Sequence, residues 1–144
     1  MKLFDYIDKD CVLFDQTCAN WEDAIELAGN LLIKKNFINE QYKKDMVELV
    51  KKCGAYIVVM PGVALSHARP NGNVSKNSIS VVTFKDGVYF GHKENDPVKL
   101  LFAIAAVNDD EHLKLFQSIA DYLIEPKNLE KMLNAKTYEE MKEC

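Results

Sequence analysis

Short, uninterrupted apolar runs constrain the fold of this chain more than any other feature. Tyr56 to Met60 form one such run, which ends at Pro61-Gly62. Leu100 to Val107 form another, within the segment Val98 to Val107 that follows Asp96-Pro97 and that we interpret mainly as a buried strand. A continuous apolar run of this length is typical of a strand that is covered on both faces. We therefore expect a sheet with helices packed against each side.

The segment between these runs predicts a hairpin. Ser78 to Lys85 is rich in β-branched residues, as strands are. Asp86-Gly87 follows directly and is a two-residue hairpin signal, so we expect the chain to return through Val88-Tyr89-Phe90. Since a hairpin makes its two strands antiparallel, the sheet cannot be purely parallel.

Helix signals precede and follow the strands. Asn20 and Asn39 have the character of N-caps, for helices that run to about Lys35 and to near Gly54. Further helix starts are Asn108 with Glu111 (to about Ile124), Pro126 (near Met132), and Thr137 with Glu140. This order predicts a single-domain α/β sandwich over residues 1–144, with a mixed β-sheet flanked by helices on both faces.

Composition limits the classes of function. The apolar runs are too short to cross a bilayer, and the N-terminus lacks the apolar stretch of a signal peptide. A net charge of −4 with dispersed lysines argues against a nucleic-acid partner. Cys11, Cys18, Cys53 and Cys144 form no C-x-x-C pair, which indicates reduced thiols. We therefore expect a cytoplasmic protein without direct membrane insertion.

One arginine occurs among the 18 basic residues, and it lies close to a histidine. Arg69 follows His67 by two residues in the segment Gly62–Pro70, which we interpret as a loop after the first strand. A guanidinium can bind phosphate or carboxylate through two hydrogen bonds, and imidazole is a good nucleophile near neutral pH. This pairing predicts that an anionic group is handled at His67.

His112 is placed to join His67 if the strand that ends near Met60 and the strand that ends near Val107 run parallel. Open α/β folds bind their ligands at the carboxyl edge of parallel strands. A neutral His67 could then attack phosphorus. His112, Arg69, the Ser66 hydroxyl and backbone amides would hold the phosphoryl oxygens, because phosphoryl transfer needs mainly positioning and charge stabilisation.

Three ordered blocks carry a family resemblance: Gly62–Pro70, Phe90–Val98 and Leu101–Leu113. They resemble enzyme IIA of the bacterial sugar phosphotransferase system (PTS), in the mannitol/fructose superfamily and particularly its ascorbate branch. The helical region from Asn20 to Cys53 fits more loosely, so the resemblance covers most of the chain. It implies an α/β sandwich that needs no metal or other cofactor.

The resemblance also implies a function. In that family the histidine of the first block, here His67, accepts a phosphoryl group from the phosphohistidine of the carrier protein HPr. It passes the group to a cysteine of the IIB component, which serves the membrane IIC transporter. His112 matches the second active-site histidine, which supports the phosphoryl group. The expected role is uptake of ascorbate or a related sugar acid or pentitol.

Two departures from the family pattern concern the same loop. Ser66 stands where the family usually has proline. Compared with proline, serine adds backbone freedom and a hydrogen-bond donor. Mannitol-type members carry an arginine on the helix before the active-site strand, and residues 45–52 contain none. Arg69 could supply that guanidinium. His92, beside Lys93 and Glu94, is a further candidate for the site.

Two other functions stay open at this point. One is a regulatory phosphoacceptor of the nitrogen-related kind, which would act through protein contacts. The other is an unrelated hydrolase or metal site that uses His67, His92 and His112, although no H-E-x-x-H, C-x-x-C or G-x-S-x-G pattern supports it. For a protein partner, the sequence suggests Val63, Leu65 and Phe90 as apolar contacts.

Overall fold

A mixed five-stranded sheet separates two layers of helices in the computed structural model, which describes residues 1–142. The strands are β1 (Val12–Gln16), β2 (Val58–Met60), β3 (Val63–Ser66), β4 (Ser78–Val88) and β5 (Val98–Ala105). The helices are α1 (Trp21–Lys34), α2 (Glu40–Cys53), α3 (Asp109–Leu123), α4 (Pro126–Asn134) and α5 (Tyr138–Lys142), with single 3₁₀ turns at Leu3–Asp5 and Ala55–Ile57. The predicted α/β sandwich is confirmed.

The strand order β1-β4-β5-β3-β2 sets the direction of each neighbour. β4 and β5 are antiparallel, as are β2 and β3, whereas β1 runs parallel to β4 and β3 runs parallel to β5. In the β3–β5 pair, Val63 lies opposite Leu100 and Ser66 opposite Ala103. Both of these strands therefore end at the same edge of the sheet.

Each face of the sheet has its own apolar core. α1 and α2 cover one face through buried residues such as Ile25 and Met46. α3, α4 and α5 cover the other through residues such as Leu115 and Met132. Along β3, Val63 and Leu65 point to the α3 side and Ala64 to the α1–α2 side, as the two-residue period of a strand requires.

The helix starts follow the local sequence signals. Asn20, Asn39 and Asn108 each accept a hydrogen bond from the backbone N–H three residues later, which satisfies an otherwise unpaired donor of the first turn. Pro126 is the first residue of α4, and Thr137 Oγ1 accepts from Glu140 N before α5. The predicted caps are confirmed at these positions.

The hairpin predicted at Asp86-Gly87 is wrong. β4 continues to Val88, which pairs with Val98 of β5, and the chain reverses through residues 89–97. The two strands shift register between the Thr83 and Val88 pairs, so β4 is irregular there without turning. At Gly87 a Cβ would lie 2.7 Å from Pro97 Cβ, so this glycine permits close packing.

A tight turn occurs instead at Pro61-Gly62. Met60 pairs with Val63 across it, and Gly62 has φ of 76°, which glycine adopts without steric cost. The expectation of a strand from Tyr56 and a loop from Gly62 therefore needs correction. Tyr56 lies in a 3₁₀ turn, and half of the expected loop is β3.

β1 has no counterpart in our sequence-based prediction. Its apolar run ends at Asp15, whose φ of 52° interrupts the strand, and its register with β4 is irregular.

Cys11, next to β1, is buried. Cys11, Cys18 and Cys53 are free thiols, whereas Cys144 lies outside the described residues. Over residues 1–142, none of the helices has the length and apolar content needed to cross a membrane.

Candidate active site

His67 and His112 meet at the carboxyl edge of β3 and β5. His67 directly follows β3, and His112 lies in the first turn of α3, shortly after β5. The centroids of their rings are 5.4 Å apart. The strand that ends at Met60 does not cause this proximity, because β2 is an edge strand antiparallel to β3. The parallel strand that places His67 is β3.

Hydrogen bonding defines the tautomer of the His67 ring. Nδ1 lies 2.9 Å from the carbonyl oxygen of Leu65, which can only accept, so Nδ1 carries the proton. Nε2 of the neutral ring then holds a lone pair, and the Tyr56 hydroxyl, 3.2 Å away, donates to it. The ring is thus oriented by its own strand, and its lone pair lies on Nε2.

Burial keeps both imidazoles neutral. It lowers the pKa of His67 below the ordinary value of 6.5, and the hydrogen bond to the Leu65 carbonyl opposes this shift without cancelling it. The pKa of His112 is also lowered, first by burial and then by the neighbouring His67, against an opposing effect of Asp109. At neutral pH both rings are therefore uncharged.

Phe116 packs against both histidines. Its ring centroid is 5.0 Å from that of His67, at an interplanar angle of 84°, and 4.8 Å from that of His112. Phe116 lies one turn after His112 on α3, so the two side chains share a helix face. Edge-to-face packing of this kind restricts the ring orientations.

Two buried polar atoms at this edge have no hydrogen-bond partner among residues 1–142: His112 Nε2 and Ser66 Oγ. Leaving a buried polar group unpaired is costly, so such atoms often mark a place where a ligand binds. Ser66 follows Leu65 in β3, and by alternation its side chain faces α1 and α2, away from α3 and the His67 ring. The structure therefore brings His112, and not Ser66, to His67.

Arg69 lies outside this ring cluster. Its exposed side chain lines a surface groove together with Asp45, Glu48 and Lys52 of α2. It is two residues beyond His67 on the same segment.

His92 lies at the opposite edge of the sheet. It belongs to the 89–97 loop that precedes β5, whereas His67 follows the carboxyl end of β3. His92 Nδ1 accepts hydrogen bonds from the amides of Glu94 and Asn95, at 3.2 and 3.0 Å. The three histidines therefore do not converge, and residues 1–142 contain no group of three or more His, Cys, Asp or Glu side chains that could hold a metal ion.

Comparison with known proteins places this geometry in a family. Residues 5–144 match the family described as the phosphoenolpyruvate-dependent sugar phosphotransferase system, EIIA 2. The chain belongs to this family. It is therefore a PTS IIA component, a phosphotransferase that works through a phosphohistidine intermediate.

Relatives with two different substrate names resemble this IIA component to the same degree. The mannitol-specific cryptic phosphotransferase enzyme IIA component of Escherichia coli K12 is 30% identical over 141 residues, covering 98% of this chain and 95% of the relative. The ascorbate-specific PTS system EIIA component of Salmonella typhimurium is 30% identical over 143 residues, covering 98% and 93%. Identity alone does not separate ascorbate from mannitol.

Solved structures share the fold. The solution structure of the E. coli mannitol-specific cryptic enzyme IIA has a TM-score of 0.87 at 30% identity, covering 98% of this chain and 95% of that chain. A complex of E. coli mannitol IIA with phosphorylated IIB has a TM-score of 0.81 at 23% identity, covering 92% of each chain. At that lower identity the likeness concerns the fold alone.

Tyr42 of α2 holds the segment after His67 in place through hydrogen bonds. Its buried hydroxyl donates to the carbonyl oxygen of Ile104, 2.7 Å away, and accepts from the backbone N–H of Ala68 at 3.2 Å. Burial raises the pKa of Tyr42 to about 12, so the hydroxyl stays protonated. The residue after His67 is thereby tied to the end of β5.

The apolar surface of this IIA component differs from the expected one. Val63, Leu65 and Phe90 are all buried, since each belongs to one of the two cores, and of the three only Leu65 lines an apolar surface groove. This groove runs between β2 and α3 beside Phe116. Its rim includes Val59, 52% exposed, and Ile124, 83% exposed.

Tyr56, Phe116 and Tyr42 are site residues that our reasoning from the sequence did not include. Phe116 could have been found, because its spacing from His112 places both on one helix face. Tyr56 and Tyr42 carried no local signal. Tyr56 is 11 residues from His67 and Tyr42 is 26 from Ala68, and tertiary packing joins them.

Proposed function

We propose that this IIA component accepts a phosphoryl group on His67 Nε2 from the phosphohistidine of HPr and passes it to a cysteine of a IIB component. The transfer would support uptake of ascorbate or a related sugar acid or pentitol through a membrane IIC component. The observation that carries the proposal is the hydrogen bond from Nδ1 to the Leu65 carbonyl, which aims the Nε2 lone pair away from the strand.

The chemistry needs no external proton. The Nε2 lone pair attacks phosphorus while the donor's N–P bond breaks and its electron pair stays on the donor nitrogen. The His67 ring then carries a positive charge, and its Nδ1–H bond to the Leu65 carbonyl, 2.9 Å in the unphosphorylated state, becomes charge-assisted. When a IIB thiolate attacks, the electron pair of the N–P bond returns to Nε2.

His112 supports the phosphoryl group in this proposal. Its Nε2 is buried, has no partner among the described residues, and belongs to a ring 5.4 Å from that of His67. With a proton on Nε2, it would donate to a phosphoryl oxygen and gain the hydrogen bond it lacks. An uncharged donor also avoids the cost of burying a second cation beside the phosphorylated ring.

Arg69 is proposed to bind the phosphoryl group from the solvent side. Its side chain is exposed and follows His67 by two residues, so it can reorient without disturbing the strand. Ser66 and His92 have no direct contact in the proposal, because Ser66 faces the other layer and His92 lies at the other edge.

Protein partners would dock on the apolar groove beside His67. The donor imidazole and the acceptor thiolate must each reach the phosphorus atom at His67 Nε2 in turn, so their binding surfaces overlap. Val59, Leu113 and Ile124 are exposed apolar residues on β2 and α3 or just after it, and they offer contact area. A contact that is exchanged in every cycle needs only modest affinity.

Reconstitution tests the phosphoryl acceptor. The protein is incubated with phosphoenolpyruvate, enzyme I and HPr, and acid-labile phosphate is counted. We expect one group on the wild type and on His92→Gln, which keeps the site intact, and none on His67→Gln. Full labelling of His67→Gln would place the acceptor elsewhere and overturn the proposal.

A second measurement tests the sugar. The phosphorylated protein is mixed in turn with the IIB component of an ascorbate system and with that of a mannitol system. We expect faster transfer to the ascorbate IIB, on the basis of the three sequence blocks. Faster transfer to the mannitol IIB would contradict the ascorbate assignment, and transfer to neither would favour a regulatory role.

A further inference from the structure

The hydroxyl group of Tyr56 is hydrogen-bonded to His67 Nε2, the nitrogen that would react with phosphorus. Its Oη is 3.2 Å from His67 Nε2, and the two rings meet edge to face, with centroids 5.9 Å apart and an interplanar angle of 89°. Tyr56 belongs to the 3₁₀ turn between α2 and β2, and it is 47% exposed. It therefore lies at the solvent-facing entrance to Nε2.

The direction of this hydrogen bond follows from the other side of the ring. Because the Leu65 carbonyl binds the Nδ1 proton, Nε2 has only a lone pair, and the phenol O–H must donate to it. The pKa of Tyr56 is raised, mainly by burial and also by the nearby Cys53, which keeps the hydroxyl protonated. The bond occupies the same lone pair that must attack phosphorus.

We propose that Tyr56 is a catalytic residue of the phosphoryl transfer: its hydroxyl leaves Nε2 as phosphorus arrives and then donates to an oxygen of the phosphoryl group. The inference rests on the function proposed above. The N–P bond of the donor breaks as the Nε2–P bond forms, and the phenol proton stays on Oη throughout. The Tyr56 hydroxyl thus loses Nε2 as its hydrogen-bond acceptor and gains a phosphoryl oxygen instead.

The exchange favours the phosphorylated state. A hydrogen bond to a charged phosphoryl oxygen is stronger than one to a neutral imidazole nitrogen. The hydroxyl needs only a small movement, since the phosphoryl oxygens of phosphorylated His67 project from the atom it already contacts. Before transfer, the same hydroxyl holds the ring in the attacking orientation and stabilises its neutral form.

The test compares Tyr56→Phe with Tyr89→Phe, which removes a hydroxyl from a side chain that is 70% exposed in the loop at the other edge of the sheet. NMR titration of the His67 ring nitrogens in the unphosphorylated protein gives the pKa of His67 in each variant. The equilibrium between phospho-HPr and each variant is measured separately, by quantifying phosphohistidine.

Two shifts are expected in Tyr56→Phe and neither in Tyr89→Phe. The pKa of His67 rises, because the donor to its neutral form is lost. The phosphoryl-transfer equilibrium moves about three- to tenfold towards unphosphorylated protein, because the lost bond to a charged oxygen outweighs the lost bond to Nε2.

An unchanged equilibrium in Tyr56→Phe would overturn the proposal, whether or not the pKa of His67 moves, since a residue that merely positions the ring would change only the titration. The result stays separate from the assignment of the acceptor. If His67→Gln were still labelled, the proposed function would fail, and the His67 titration would still show whether Tyr56 donates to Nε2.

Discussion

The two edges of the central sheet each hold a histidine in a loop, but they satisfy its nitrogens differently. At one edge, backbone amides donate to His92 Nδ1, and the Asp96 carboxylate accepts from the amides of Phe90, Gly91 and His92 at 2.7–3.1 Å. At the other edge, His67 donates through Nδ1 and accepts from the Tyr56 hydroxyl at Nε2, while His112 Nε2 is buried without a partner in residues 1–142.

This difference separates a structural use of polar groups from a functional one. The 89–97 loop uses its carboxylate and imidazole to pair amides that the chain reversal leaves without strand partners, as buried backbone requires. The edge with His67 retains an unpaired buried atom, His112 Nε2, in a ring next to the half-buried neutral ring of His67. Unpaired groups of this kind are tolerated where a ligand supplies the missing bond.

The largest expected effect concerns His112. We expect His112→Ala to slow phosphoryl acceptance from HPr about 100-fold, as loss of one donor to a developing charge does in other enzymes. The matched change at the other edge, His92→Ala, should leave the rate unchanged. Rapid-quench measurement of phosphohistidine formation gives both rates, and equal slowing in the two variants would remove the distinction between the edges.

A smaller effect is expected on stability when the other edge is altered. Asp96→Ala removes the acceptor of several backbone amides and should lower the free energy of unfolding by about 2–3 kcal/mol. Urea denaturation checks this, with Asp86→Ala, an exposed change on β4, as the control of near-zero effect.

While Asp96→Ala remains folded, it should still accept a phosphoryl group at the wild-type rate, because His67 and His112 lie at the opposite edge. A large loss of phosphoryl acceptance without a loss of stability would show that the two edges are coupled.

The smallest effect concerns pH. His67 and His112 both have a lowered pKa in the folded protein, so the unfolded chain binds protons first as the pH falls below about 6.5. The free energy of unfolding should therefore decrease from about pH 6.5 down to the folded pKa values and change no further from this cause. Phosphoryl acceptance should fall over the lower part of the same range, as His67 Nε2 becomes protonated.

Urea denaturation between about pH 7.5 and about pH 5.5 checks the sign. The double variant His67→Gln/His112→Gln should lose the part of the pH dependence that comes from these two rings. If its pH dependence equalled that of the wild type, the site would not contain the neutral, buried imidazoles described here.

Features that depend on a few neighbouring residues were predictable. The caps at Asn20, Asn39 and Asn108 form as expected because each joins a side chain to a backbone N–H three residues away. The dipeptides ending in glycine were harder to interpret. Pro61-Gly62 turns the chain and Asp86-Gly87 does not, since β4 gains more by continuing its pairing with β5 to Val88.

Local signals predicted the α/β class, because helix caps, apolar runs and residue types act over short distances, and the type and context of His67 made it a candidate site residue. The direction of β3, the donor role of Tyr56 and the exclusion of Ser66 and His92 from the ring cluster arise only when the strands are ordered. The lone pair of His67 lies on Nε2 because Nδ1 carries the proton, and the Leu65 carbonyl that accepts this proton has its position set by the sheet.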